Sequence, residues 1–110
     1  MFRLTRSLDL KRVRQQGRSY AHPLIVLIAA PSNESWPRFG VVAGRSIGGA
    51  VQRNRCKRLL RASVDAVLPS ISPGWDILLL ARKGLEETTG DQTRQALLNL
   101  LERARLLSHV

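Results

Sequence analysis

At 110 residues, 44% of them hydrophobic, the chain has room for one packed domain and not two, and its composition excludes a disordered chain. Lys and Arg total 18 against 8 Asp and Glu, a net charge of +10 that penalises a compact chain by self-repulsion. Such a balance points to a polyanionic partner, either nucleic acid or an anionic membrane. The single cysteine, Cys56, excludes an internal disulfide and a cysteine-based zinc site.

The N-terminal segment from Met1 to Arg6 is too short and too charged for a signal peptide. Leu24 to Ala30, the longest apolar run, is too short to span a bilayer, so a soluble, cytoplasmic protein is expected. Ser7 is placed to N-cap a first helix that ends near Gln16, with Asp9 near its positive end and Gly17 as the stop. The β-branched run at 24–30, closed by Pro31, predicts a strand. After a loop at 31–37, a second strand at 39–43 is expected to form a hairpin with it. A glycine-containing basic loop, 44–49, leads into a helix from Ala50 to about Leu68. Trp75 to Ala81 predicts a third strand, and Thr88 to Asp91 offers N-cap chemistry for a last helix. The order helix–strand–strand–helix–strand–helix is that of a single small α+β domain over residues 1–110, with 108–110 expected as a frayed tail.

The middle helix carries the strongest signal. At about 100° per residue, Cys56, Leu60, Ser63 and Val67 share one face, flanked by Leu59 and Val64. Asn54, Lys57, Arg58 and Arg61 share another, with Arg53 and Arg55 at its margins. Most charge runs are only solvated faces, but those mix signs, and no acidic residue occurs from Arg45 to Arg61. Asn54 is a poor helix former whose amide both donates and accepts, which suits a base edge or a sugar hydroxyl. Arg45 and Ser46 stand just before the helix N-terminus, where free N–H groups and the dipole attract phosphate. The glycine spacing is not that of a Walker loop.

The stretch Ile47-Gly48-Gly49-Ala50-Val51-Gln52-Arg53-Asn54-Arg55-Cys56-Lys57-Arg58-Leu59-Leu60-Arg61 closely resembles the Arg-Asn-Arg signature of the bacterial ribonuclease P protein subunit. Cys56 stands where that family usually has an aliphatic residue, a tolerable exchange because Cys behaves as a small hydrophobe. The resemblance covers nearly the whole chain in one register: Ser7 to Gly17, Arg38 to Val42, Asp76 to Arg82 and the Leu-rich end. It implies a central, mostly antiparallel sheet and a left-handed strand–helix–strand crossover of a ribosomal-protein type, against the usual right-handed preference. It also implies that the protein binds a catalytic RNA and the 5′ leader of precursor tRNA, and that the RNA performs the cleavage. Mg²⁺ is then held mainly by the RNA and substrate, with no protein motif for it. Neither a membrane, nor DNA, nor a protein oligomer is implied as partner. The family's leader cleft usually carries aromatics at two positions on the first helix and one on the first strand. The aligned residues here are Leu10, Arg14 and Ile28, and Tyr20 is a further candidate.

No autonomous active site is legible. His22 and His109 are the only imidazoles, and the carboxylates are scattered apart from Glu86-Glu87, expected to complement the last helix dipole. Trp36 and Trp75 border predicted strands and are expected in the core, and Arg82-Lys83 is as compatible with a solvated loop as with RNA contact. The alternative function is a general RNA-binding or ribosome-associated module without associated catalysis. A membrane-surface role is disfavoured, because burying the core side of the helix leaves no bulky apolar face to insert.

Overall fold

The computed structural model describes residues 2–108. A two-residue strand β1 (Phe2–Arg3) precedes helix α1 (Ser7–Gln16). Strands β2 (Arg18–Ala21), β3 (Ile25–Pro31) and β4 (Arg38–Val42) follow. Helix α2 (Ala50–Val67), strand β5 (Trp75–Ala81) and helix α3 (Gly90–Arg103) complete the chain. The sheet order is β1-β4-β5-β3-β2. It has four principal strands and the short β1 at one edge.

The hairpin expected between the strands on either side of residues 31–37 does not form. β5 lies between β3 and β4, antiparallel to β3 over seven register pairs and parallel to β4 over five. The parallel β4–β5 pair needs a long crossover, and α2 supplies it. β3 takes its hairpin partner from upstream instead, pairing antiparallel with β2. The sheet is therefore mixed, and antiparallel pairing makes its longest ladder.

Strand alternation sends side chains to two faces. Leu27, Ala29, Phe39, Ile77 and Leu79 face α2 and α3 and form the main core with Cys56, Leu60, Leu97 and Leu100. Ala30 and Leu78 face the other way, packing with Leu4 and Val13 under α1. Thr89 caps α3 through a reciprocal box with Gln92, as the threonines before that helix predict. Ser7 is the first helical residue of α1, and no side chain caps that helix. Glu86 sits in a 3-10 turn, where its carboxylate accepts from the Gly84 N–H, so Asp91 is the acid in the first turn of α3.

Trp75 packs against the main core, but Trp36 remains 39% exposed in the β3–β4 loop. Ser108 donates its N–H to the Ser70 carbonyl at 2.6 Å, which ties that end of the expected tail to the domain. The remaining tail residues and His109 lie outside the described residues.

Candidate nucleic-acid interface

Helix α2 owes its rigidity to its inner face. Cys56, Leu60, Ser63, Val64 and Val67 are all buried, as the periodicity predicts. Burial also pushes the Cys56 thiol upward, with Glu86 adding to the rise and Arg55 opposing it, so the group stays neutral and apolar. A side chain on such a helix loses less freedom on binding than one on a loop.

The outer face is a shallow groove of about 440 Å³ lined by Val51, Asn54, Lys57, Arg58 and Arg61. Its cations are uncompensated: the ion pairs among the described residues join Arg12, Arg38 and Arg94 to acids, and none uses a cation of α2. That distinguishes the groove from an ordinary solvated face. Val51 escapes a search for charge. It is 76% exposed, an apolar contact in the middle of the cationic surface. Arg53 sits half-buried on the flank of the helix.

The loop before α2 is a 3-10 turn, Arg45–Ile47, anchored by buried Ile47, with Arg45 and Ser46 exposed. Gly48 has φ 140°, outside the range of L side chains, and lets the chain turn into the helix. No side chain caps α2, so its leading N–H groups have no side-chain acceptor, and Arg45 and Ser46 precede them in the chain.

Arg55 is placed differently from its neighbours. Its Nε donates to the Glu86 carbonyl at 2.8 Å and a terminal nitrogen to the Thr88 carbonyl at 3.0 Å. It thereby clasps the turn before α3, and it is absent from the groove lining.

On the opposite sheet face, Leu10, Ile28, Val42 and Leu80 pack, partly exposed, against the buried cluster of Leu4, Val13, Ala30 and Leu78, forming an apolar strip, or trough, beside α1. Arg14 stands exposed one turn beyond Leu10. α1 approaches the sheet this closely because glycines leave room. A Cβ on Gly17 would stand 2.5 Å from the Val13 carbonyl oxygen and 2.6 Å from Ile28 Cγ2. One on Gly40 would stand 2.9 Å from the Leu4 carbonyl oxygen and 3.0 Å from Leu10 Cδ2.

The trough and the groove meet at the β4 edge. There a cavity of about 200 Å³ is lined by Arg3, Leu4, Leu10 and Gly40 and also by Arg61, which therefore borders both surfaces.

A buried ion cluster fixes α1 in place. Asp76 is fully buried and accepts from Arg12 of α1 and from Arg38 of β4, while Asp9 lies 3.8 Å from Arg38. Burial alone would raise the Asp76 pKa, but the hydrogen bonds and charges of Arg38 and Arg12 outweigh it and hold the carboxyl below its usual range. Asp76 is a charge inside an otherwise apolar strand, and that interruption was the available sequence signal. No group of three or more His, Cys, Asp or Glu is placed to hold a metal among the described residues.

Fold and site together define a small basic α+β protein that holds one cationic helix rigidly outward beside an apolar trough. A family model described as Ribonuclease P matches residues 1–105, and the chain belongs to that family. The ribonuclease P protein component of Herpetosiphon aurantiacus is 41% identical over 104 residues, covering 94% of this chain and 85% of that protein. That of Chloroflexus aggregans is 37% identical over 107 residues, covering 96% and 79%. Among solved structures, the RNase P protein of Staphylococcus aureus superposes with a TM-score of 0.88 at 25% identity, covering 98% of this chain and 99% of that one. The RNase P protein from Thermotoga maritima superposes with a TM-score of 0.84 at 30% identity, covering 94% and 97%. No described helix is long and apolar enough to cross a membrane.

Proposed function

We propose that this chain is the protein subunit of ribonuclease P, working in tRNA 5′ maturation beside an RNA that carries the catalytic centre. The observation that carries the reading is the α2 groove, whose Lys57, Arg58 and Arg61 have no acidic partner while the helix beneath them is locked into the core. Guanidinium and ammonium groups so placed bind phosphates of a folded RNA, and Asn54 supplies directional contacts to base or sugar. The trough of Leu10, Arg14 and Ile28 receives the single-stranded leader by apolar contact and one phosphate contact in place of aromatic stacking.

Among the described residues no carboxylates cluster as a metal site would need, and buried Asp76 is engaged by two guanidinium groups. We assign Mg²⁺ to the RNA and the substrate, where it would activate the attacking water and stabilise the leaving oxygen. The protein contributes affinity, position and charge screening in the cytoplasm.

The test is reconstitution. The purified chain alone should leave precursor tRNA intact, and at low Mg²⁺ it should restore 5′ cleavage by a bacterial ribonuclease P RNA. If that RNA is not stimulated, the reading is wrong and a general RNA-binding module takes its place.

A further inference from the structure

A second concave surface lies across β3 from the trough. Tyr20 of β2 and Trp75 of β5 line a pocket of about 400 Å³, together with Gln16, Arg18 and the residues Ala104 and Leu106 just past α3. The chain has only five aromatic residues, and two of them gather here while the trough at Leu10, Arg14 and Ile28 has none. Between the two surfaces, stacking capacity therefore sits in the pocket and not in the trough. Both rings are partly buried against the main core, so they are held before any ligand arrives.

The polar groups are equally available. Among the described residues no hydrogen bond or ion pair engages the side chains of Tyr20, Trp75, Gln16 or Arg18. No carboxylate lines the pocket. We propose that it receives an unpaired nucleotide of single-stranded RNA, with the base against one of the two rings, Tyr20 or Trp75, and the phosphate against Arg18. A nucleotide supplies a planar π face and an anion in one ligand, which matches both halves of the lining. A second copy of the chain would instead bring a net charge of +10 against +10.

The location gives the strand a route. β2 is the edge strand, and Gln16 and Arg18 flank the turn from α1 into it. Ile28 faces the trough and its neighbour Ala29 faces the pocket side of the sheet. RNA leaving the trough past Arg14 would round this edge to reach the pocket. The inference rests on the RNA-binding reading above for its ligand class, and not on which RNA is the natural partner.

The test uses the whole chain, a ten-nucleotide unstructured RNA carrying 4-thiouridine, and a duplex RNA of equal length. Tyr20→Leu keeps an apolar side chain against the core, and Arg18→Gln changes an exposed residue. Tyr20→Leu should weaken single-strand binding on the order of tenfold and leave duplex binding unchanged. Arg18→Gln should weaken the same binding and lower its salt dependence, and the crosslinks should map to peptides containing Tyr20 or Trp75. Unchanged single-strand affinity in both variants, or crosslinks confined to α1 and α2, would overturn the site. So would dimerisation that Tyr20→Leu abolishes. A chain that binds the single strand through Tyr20 yet fails to stimulate ribonuclease P RNA would overturn the proposed function and leave this pocket standing.

Discussion

Arg38 and Asp76 face each other across the β4–β5 register and lock in a forked pair, Nε to Oδ1 at 2.8 Å and the terminal nitrogen to Oδ2 at 2.7 Å. Arg12 reaches the same carboxylate from α1, so one buried charge ties two strands and a helix. Removing it leaves the two guanidinium groups only their weaker partners, Asp9 at 3.8 Å for Arg38 and the Pro31 carbonyl at 3.3 Å for Arg12. Asp76→Ala should cost about 3 kcal/mol in urea denaturation. A loss within the error of the measurement would show that the cluster does not hold α1.

The same carboxylate sets an acid limit. Its folded pKa lies below the unfolded value of about 3.9, so its contribution is complete above that value. The contribution fades as pH falls through the folded pKa. Stability of the wild type should therefore drop below about pH 4, and Asp76→Asn should flatten that part of the profile. Equal slopes for the two proteins in that window would contradict the assignment.

Charge removal on α2 should separate cations that meet phosphate from the one that braces the fold. Single changes Lys57→Gln, Arg58→Gln and Arg61→Gln should each reduce the slope of log K against log salt by roughly one unit. Arg55→Gln should leave the slope unchanged and lower stability by about 1 kcal/mol, because its guanidinium already serves two carbonyls. The reverse pattern would place the RNA surface on the other margin of the helix.

Arg14 offers a test of the trough whose outcome depends on salt. Arg14→Phe removes a phosphate contact and adds a stacking face at an exposed position. At high salt the variant should bind a single-stranded leader about fivefold more tightly than the wild type, and at low salt this advantage should shrink or invert. A salt-independent difference would argue against the trough as the leader's path.

The parts of this protein legible in its sequence are those where one face repeats. Helix α2 announces itself through buried positions at 56, 60, 63 and 67 and an acid-free stretch, and both features survive in the fold. β2 does not, because Arg18-Ser19-Tyr20-Ala21 is a short edge strand with no apolar run. The expected β3–β4 hairpin fails for a different reason: the chain gives no local cue that β5, some thirty residues on, inserts between them. Arg55 differs from Arg58 only by its angle around the helix, and the carbonyls that claim it come from the turn before α3. The trough's lack of aromatics is plain in Leu10, Arg14 and Ile28, whereas the presence of Tyr20 and Trp75 in one pocket follows only from the sheet order.

Cys56 lies on the hidden side of the helix whose outer side carries the cationic groove, and it is fully buried. A thiol reagent can reach it only when α2 lifts from the sheet or the domain opens. Its labelling rate is thus a clock for that opening, read from a native side chain with no engineered reporter. Any anion or RNA that prefers the closed form must slow the clock, by a factor that reads the free energy of its grip on the groove.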